Sequence, residues 1–217
     1  MTAHEFARCF YERWTEAPAP VMIRHAESIK NIDSQRGGPG RPLTARGEAQ
    51  ALDVSHVLLV SGHHWDVVIT GPGEHVVSTS QIVSKQLALR SIVSDCLSGI
   101  DLGVLAGLTE AEMAIQQPRA WAVFQAWDRR EIAMSEFVVA GKESGTSFAE
   151  RVLGCLVADL RRYPNPLFVV GRSILILCAN IVRSEGIFDL ETFFHEEWGH
   201  CSGLFGRDRL PMGRSTR

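Results

Sequence analysis

Arg24 and His25 have the side chains best suited to chemistry in this sequence, and they stand side by side at the end of an apolar run. Imidazole is a competent nucleophile near neutral pH, and a guanidinium group matches the geometry of phosphate or carboxylate oxygens. The pair could therefore attack or hold an anion. Taken alone, an Arg-His pair after a strand is most often a hydrated strand end, so its meaning depends on the rest of the chain.

Polar turns follow two other apolar runs, at 70–75 and at 171–173. The alternation of strand-like runs with helical periodicity predicts a mostly parallel sheet with helices on its faces. In such sheets ligands bind beyond the carboxyl ends of the strands, and we expect the three polar segments to meet there in one pocket. The predicted strands are Val21–Arg24, 66–70, 91–96, Pro166–Val170 and 201–205.

Capping residues predict where several helices begin. Thr44 precedes a helical pattern of apolar residues. Thr109 stands three residues before Glu112, and Ser147 three residues before Glu150, which is the spacing of a capping box. Further helices are predicted at 74–89 and 174–183.

Length and composition suit one globular α/β domain, since the 217 residues are 45% apolar and 22% charged. We predict a single domain over 1–217, with a less regular, cap-like insertion at about 97–144. A formal net charge of −3 gives no basic surface, so nucleic acid is not expected as a partner. The same charge favours a small partner. The longest apolar stretches are shorter than the roughly 20 residues of a membrane-spanning helix, which predicts a cytoplasmic protein with no membrane partner.

Five cysteines are spread along the chain, at positions 9, 96, 155, 178 and 201, and they form no CxxC pair. Several of them lie inside apolar runs. We therefore predict buried, reduced thiols in preference to disulfides or a metal site.

Two sequence blocks give the Arg-His pair a context: RHAESIKN at 24–31 and RPLTARGEAQA at 41–51. The first is similar to the Arg-His-Gly-Glu-Ser/Thr pattern, with an Asn three residues further on, of the histidine phosphatase superfamily, the phosphoglycerate-mutase-like proteins. The second matches the Pro-Leu-Thr…Gly…Gln-Ala run that follows in that family. The sequence resembles this family from 21 to about 205. The resemblance implies a three-layer α/β sandwich with a mostly parallel central sheet.

The resemblance also implies a reaction through a phosphohistidine. In the family, the His of the Arg-His pair attacks phosphorus, two Arg and two His hold the phosphoryl oxygens, and a carboxylic acid protonates the leaving group. On this interpretation His25 is the nucleophile, Arg24 binds phosphate and Asn31 lines the pocket. No metal or other cofactor is implied, since arginines can supply the positive charge that phosphoryl transfer needs.

Three positions depart from the family pattern. His75 stands where the family has its second Arg, Arg172 stands at its second His, and Gly99 replaces the usual acid Glu. The chain still offers two Arg and two His, with the second pair exchanged in position. Since Arg is longer and always charged, we expect anion binding to be preserved better than fast turnover. Asp101 is a candidate for the missing acid, because two residues along an extended chain lie on the same side as Gly99; Glu74 is a weaker candidate.

Two further patterns bear on the pocket. The stretch HEEWGH near the C-terminus lacks the zinc-protease spacing, in which two His stand four residues apart on one helical face. Since it precedes the last predicted strand, His195 or His200 could contact a ligand. Trp121, Phe124 and Trp127 recur every three residues, which predicts a packed helix stripe or, alternatively, an apolar lid.

Three functions remain open. The first is a small-molecule phosphatase or phosphotransferase that acts through His25, with a cationic pocket around the phosphoryl group and an unassigned acid. The second is a pseudophosphatase that binds an anionic ligand or a protein partner without turnover. The third is a recruited pocket with other chemistry on an anionic metabolite. The sequence predicts neither the substrate nor the oligomeric state.

Overall fold

The computed structural model describes residues 1–193, 198–206 and 208–210. Within this part of the chain, no helix is both long and apolar enough to cross a membrane. The helices are α1 (Ala3–Glu16), α2 (Ile29–Ile32), α3 (Ala45–Val60), α4 (Glu74–Gln86), α5 (Glu110–Gln116), α6 (Pro118–Asp128), α7 (Gly145–Arg162) and α8 (Arg172–Arg183). The strands are β1 (Val21–Arg24), β2 (Val67–Thr70), β3 (Ser91–Val93), β4 (Pro166–Val170), β5 (Gly203–Phe205) and β6 (Asp208–Leu210).

The strands form one sheet in the order β3-β2-β4-β1-β5-β6. The first four are parallel, whereas β5 pairs antiparallel with β1 and β6 pairs antiparallel with β5. Arg24 is paired with Val170, and Thr70 is paired with Val169, so β1, β2 and β4 end at the same edge. The predicted mostly parallel sheet is confirmed, and the segments that follow these three strands leave it side by side.

Helices cover both faces of the sheet. On one face, Met22 and Phe168 pack with residues of α1, α7 and α8. On the other face, Ile23 and Leu167 pack with residues of α3 and α4. Because successive strand residues point to opposite faces and both faces are covered, β1, β2 and β4 read as continuous apolar runs without alternation. This is the predicted three-layer α/β sandwich.

The helix starts follow local capping chemistry. The predicted starts at Thr44 and Thr109 are confirmed, since each hydroxyl accepts a hydrogen bond from a backbone N–H of the first turn. The predicted start at Ser147 is wrong, because α7 begins earlier. The hydroxyl of Ser144 caps this helix and accepts the Ser147 N–H at 3.0 Å.

The segment at 97–144 carries the aromatic residues predicted as a stripe. It consists of the 3-10 helix Gly103–Leu105, α5, α6 and connecting loops. On α6, Phe124 is buried, and Trp121 stacks on it with the ring centroids 5.3 Å apart. Trp127 stacks on Phe137 at 5.2 Å. The packed stripe therefore forms as predicted, and two of its residues, Phe124 and Trp127, also line a pocket.

The prediction of reduced thiols throughout is wrong for one pair of cysteines. Cys96 and Cys155 form a disulfide, with their Cα atoms 6.4 Å apart. Cys96 lies in the 3-10 turn Asp95–Leu97, which packs against α7, where Cys155 is located. Their separation of 59 residues left no short-range pattern in the sequence to indicate the contact. The other three cysteines are free, as expected.

Loss of this disulfide is expected to lower the free energy of unfolding by about 4 kcal/mol, because the bridge closes a long loop in the unfolded chain. Urea denaturation of the double variant Cys96→Ala/Cys155→Ala measures the loss. Cys9→Ala, which removes a free thiol, is the matched control. If reductant leaves the denaturation midpoint of the unmodified protein unchanged, the bridge contributes nothing in solution and the prediction fails.

Candidate active site

His25 is the first residue after β1 and is held by the backbone around it. Its N–H donates to the carbonyl oxygen of Val170 at 3.0 Å. Its ring Nδ1 lies 2.7 Å from the carbonyl oxygen of Ala26. A carbonyl oxygen can only accept, so Nδ1 carries the proton and Nε2 keeps its lone pair. The next N–H, that of Ala26, donates to the Thr79 hydroxyl at 3.0 Å, which fixes the turn after the strand.

The surroundings of His25 favour a neutral imidazole. Its pKa lies well below the usual value, first because the ring is buried and then because of its electrostatic interactions with His75 and with the Arg24 guanidinium. The His25 and His75 rings meet edge to face with centroids 4.2 Å apart, and His200 lies at 5.9 Å. A neutral imidazole with a free Nε2 lone pair is the form that attacks an electrophile.

Arg24 is buried, and its guanidinium group is hydrogen-bonded to two residues of the C-terminal region, Trp198 and His200. One nitrogen donates to the carbonyl oxygen of Trp198, and another lies 3.0 Å from Nε2 of His200. Because guanidinium can only donate, this Nε2 accepts. Burial, followed by the charges of Arg24 and Arg172, lowers the pKa of His200 to about 3. His200 lines the pocket and also orients Arg24, so its contact with a ligand stays a prediction, whereas His195 lies outside the described residues.

Residues of the second sequence block, at 41–51, hold the first block, at 24–31, in position. The Glu27 carboxylate accepts a hydrogen bond from the Thr44 hydroxyl at 2.8 Å, and the Glu27 N–H donates to the Gln50 side-chain oxygen at 2.9 Å. A Cβ at Gly47 would overlap the carbonyl oxygen of Glu27. Glycine is required there because α3 approaches the loop after β1 so closely. The two blocks occur together because the second one positions the first.

The helix that follows the Arg-His pair contributes Asn31 and Lys30 to the pocket. The Asn31 side-chain oxygen accepts from the N–H and the hydroxyl of Ser28, at 2.9 and 2.8 Å. The Lys30 ammonium donates to the carbonyl oxygens of Gly38 and Pro39, at 3.2 and 3.3 Å, and burial lowers its pKa. The sequence predicted Asn31 but gave no role to Lys30.

The three positions that depart from the family pattern line one cavity. His75 lies in the first turn of α4, and its Nδ1 is buried without a hydrogen-bond partner among the described residues. Arg172 is the first residue of α8, next to Ser173. The Ser173 hydroxyl accepts the Ile100 N–H at 3.4 Å, which ties the Gly99 segment to α8. The predicted convergence of the three strand ends therefore occurs.

Asp101 does not share this cavity, and the prediction that it lies on the same side as Gly99 is wrong. Its side chain is exposed and accepts the Gly103 N–H at 2.9 Å. The chain turns there into the 3-10 helix Gly103–Leu105, so the extended spacing of two residues does not apply. Glu74 is also exposed and outside the lining. Neither carboxylate is placed to protonate a leaving group.

Arg151 holds the Gly99 segment in position. It donates to both carboxylate oxygens of Glu143, at 2.9 and 2.7 Å. It also donates to the carbonyl oxygens of Cys96 and Ser98, at 2.7 and 3.1 Å. Its pairing with Glu143 and these backbone acceptors make it a positioning residue for this wall of the cavity. Sequence reasoning assigned it no role.

The cavity has a volume of about 360 Å³, and we group its lining residues by their chemistry into a polar side and an apolar side. Among the described residues no carboxylate lines it. The polar side is formed by Arg24, His25, Lys30, Asn31, Ser34, Gln35, Arg36, His75, Arg172, Ser173 and His200. The apolar side is lined by Ile100, Leu102, Phe124, Trp127, Met134, Phe137, Ile176 and Phe193. The aromatic stripe was the only sequence signal for this second side.

Comparison with known proteins agrees with this geometry. Residues 21–186 match the model of the histidine phosphatase superfamily, branch 1, and the chain belongs to that family. It is 24% identical over 148 residues to the uncharacterized phosphatase PhoE of Bacillus subtilis strain 168, a match that covers 68% of this chain and 67% of the relative. It is 31% identical over 102 residues to a 2,3-bisphosphoglycerate-dependent phosphoglycerate mutase of Bartonella quintana, covering 44% and 48%.

Solved structures share the fold. YhfR of Bacillus stearothermophilus superposes with a TM-score of 0.70 at 18% identity, over 86% of this chain and 93% of that one. A mycobacterial glucosyl-3-phosphoglycerate phosphatase in complex with VO3 gives a TM-score of 0.66 at 22% identity, over 85% and 88%. These likenesses establish the phosphoglycerate-mutase-like architecture.

The buried histidines are expected to make the protein less stable in mild acid. Burial, with Lys30 and Arg24 nearby, lowers the pKa of His75 to about 4. In the unfolded chain this ring takes up its proton near pH 6.5. Between these values the unfolded state binds more protons than the folded state, so the free energy of unfolding falls as the pH falls. For His75 alone the loss at pH 5 is about 2 kcal/mol.

Urea denaturation at pH 7.5 and pH 5.0 tests this expectation in the unmodified protein and in His75→Gln. Glutamine cannot titrate, so the variant should lose about 2 kcal/mol less between the two pH values. An identical loss in both proteins would show that His75 does not carry the pH dependence.

Proposed function

We propose that the protein is a phosphatase or phosphotransferase that acts on a small phosphorylated molecule through a phosphohistidine at His25. The observation that carries the proposal is the hydrogen bond from His25 Nδ1 to the Ala26 carbonyl oxygen, in a cavity lined by cations. This bond leaves the Nε2 lone pair for phosphorus. Membership of a family that contains proteins named as phosphatases supports the same role. The proposed partner is therefore a small anion, and the proposed location remains the cytoplasm.

In the proposed first step, Nε2 of His25 attacks phosphorus and forms a P–N bond. The bond between phosphorus and the ester oxygen breaks, and that oxygen leaves with the electron pair and takes up a proton. In the second step, water attacks phosphorus and the P–N bond breaks. Inorganic phosphate is released, the water proton passes to solvent, and Nε2 recovers its lone pair. A phosphotransferase would use an acceptor hydroxyl in place of water.

Arg24 and Arg172 are proposed to hold the phosphoryl oxygens, because their charge is permanent and both line the cavity. Lys30 adds a further cation at the same end. His75 is neutral at physiological pH, and a phosphoryl oxygen would be a partner for its buried Nδ1 if that nitrogen carries the proton. The exchange of His and Arg relative to the family keeps a cationic pocket while moving the permanent charge to the start of α8.

Protonation of the leaving group is the step of the proposed turnover for which the described part of the cavity supplies no carboxylic acid. Gly99 places no acid on the wall where the resemblance expects a Glu, and Asp101 does not reach the cavity. This observation supports a second candidate function, an anion-binding pseudophosphatase that holds a ligand without releasing product. The two candidates share the cationic end of the pocket and differ only in the chemistry at His25.

Mass spectrometry of the protein after brief incubation with acetyl phosphate separates the two candidates. Acetyl phosphate is small, and its leaving group is already a stable anion, so no acid is needed. The proposed function predicts an acid-labile phosphoryl group that maps to His25 and is followed by phosphate release above the spontaneous rate. Binding of inorganic phosphate or vanadate without any labelling would overturn it in favour of the pseudophosphatase.

A further inference from the structure

The apolar side of the cavity is an organised aromatic surface that the proposed phosphoryl transfer does not use. We call Phe124, Trp127 and Phe137 the aromatic wall. Trp127 and Phe137 stack with centroids 5.2 Å apart and an interplanar angle of 20°, and Phe124 meets Phe137 edge to face at 5.7 Å. The Trp127 indole N–H donates to the carbonyl oxygen of Phe193 at 3.2 Å. The wall is therefore fixed in place, and all three of its residues contribute apolar surface to the lining of the cavity.

The aromatic wall belongs to the same cavity as the cationic residues, and Gly99 and Ile100 also line that cavity. A Cβ at Gly99 would lie 3.5 Å from the hydroxyl of Ser173, the neighbour of Arg172. The next residue, Ile100, is part of the apolar lining. The group attached to a phosphate held by Arg172 would thus meet apolar surface soon after the ester oxygen.

The lack of a carboxylate among the described lining residues, with glycine at position 99, limits which ester oxygens can leave. A general acid contributes roughly 10²–10⁴-fold to a step that expels a poor leaving group, and far less when the leaving oxygen is stable as an anion. With glycine at this position, esters of acidic hydroxyls react best. An aromatic hydroxyl meets both requirements at once, because the ring fits the wall and the phenolate is a stable anion whose conjugate acid has a pKa of about 10.

We propose that the substrate is an aryl phosphate, a monoester in which the phosphate oxygen is attached directly to an aromatic ring. This inference rests on the proposed function of His25. As Nε2 bonds to phosphorus, the oxygen leaves with its electron pair as a phenolate, and solvent supplies the proton after departure. The ring lies against the aromatic wall throughout.

Three monoesters of equal charge and similar size test the inference in the unmodified protein: phenyl, benzyl and cyclohexyl phosphate. Phenyl phosphate has the ring and the acidic oxygen, benzyl phosphate has the ring only, and cyclohexyl phosphate has neither. We expect kcat/KM for phenyl phosphate to exceed that of the other two by about 10²-fold. Benzyl phosphate should bind better than cyclohexyl phosphate when each is used as a competitive ligand. Equal kcat/KM values for phenyl and cyclohexyl phosphate would overturn the inference.

Three variants test the wall itself. Trp127→Ala should lower kcat/KM for phenyl phosphate about tenfold, as expected for the loss of one large apolar contact. Ile115→Ala removes a large apolar side chain that is exposed on α5 and does not line the cavity, and it should leave kcat/KM unchanged. Trp127→Phe keeps a ring and loses the indole donor, so it should retain most of the activity and separates the wall from the hydrogen bond. Equal losses in Trp127→Ala and Ile115→Ala would contradict the role of the wall.

Labelling by acetyl phosphate distinguishes failure of this inference from failure of the proposed function. Acetyl phosphate has no ring, so Trp127→Ala should be labelled at His25 as fast as the unmodified protein. Labelling without any preference for phenyl phosphate would overturn the aryl phosphate inference alone. No labelling from acetyl phosphate and no hydrolysis of any ester would overturn both.

Discussion

Replacing His25 with alanine is expected to abolish phosphoryl labelling and to lower kcat/KM for a phosphomonoester by roughly 10⁴-fold or more, as loss of a nucleophile does in other enzymes. The physical reason is that His25 combines a proton fixed on Nδ1 with an Nε2 lone pair at the cationic end of the cavity. The measurement is phosphate release, together with mass spectrometric mapping of the label.

His75→Ala is the informative comparison, because the His75 ring lies only 4.2 Å from the His25 ring. We expect this variant to keep the label on His25 and to lose a smaller part of kcat/KM. His63→Ala, which changes an exposed histidine, controls for nonspecific effects. A label that maps to His75, or full activity in His25→Ala, would show that the nucleophile is assigned wrongly.

Introducing an acid at position 99 is expected to raise activity. Gly99→Glu should increase kcat/KM for benzyl phosphate by about 10²-fold, because a carboxylic acid could then protonate the alkoxide as it leaves. Gly99 can accept a side chain, since its backbone is not left-handed and the nearest atom to an added Cβ is the Ser173 hydroxyl at 3.5 Å. The gain for an ester with a good leaving group, such as acetyl phosphate, should be much smaller.

Gly99→Gln is the matched control, because its side chain has nearly the same size and cannot donate a proton as an acid. A gain in Gly99→Glu that Gly99→Gln does not share would locate the missing acid on this wall. Equal activity of the two variants would show that the carboxylic proton plays no part, or that the wall is placed wrongly relative to the leaving group.

Much of the fold was predictable because it depends on local patterns. The runs that became β1, β2 and β4 are apolar on both faces, and their polar ends converge because parallel neighbours end at the same edge. Thr44 and Thr109 cap their helices through bonds within the first turn, so sequence alone indicates them. The start of α7 was misplaced because Ser144 and Ser147 have the same capping chemistry and three-dimensional packing selects between them.

The parts of the site that escaped prediction depend on contacts between distant segments. The hydrogen bond between Arg24 and His200 joins the end of β1 to a residue 176 positions further along the chain. Arg151 donates to backbone oxygens more than fifty residues away. Neither leaves a short-range pattern. Asp101 was misjudged for the opposite reason, because an extended chain was assumed where a tight turn occurs.

The Gly99 segment is fastened twice, once by the Cys96–Cys155 disulfide and once by the hydrogen bonds of Arg151. The disulfide stabilises the protein mainly by restricting the unfolded ensemble, whereas the hydrogen bonds of Arg151 determine the shape of the folded cavity. The stability of the fold and the substrate specificity of the cavity can therefore change independently in this protein. A preparation kept under reducing conditions should therefore have a lower melting temperature than an oxidised one. Its kcat/KM values for a set of substrates should be the same.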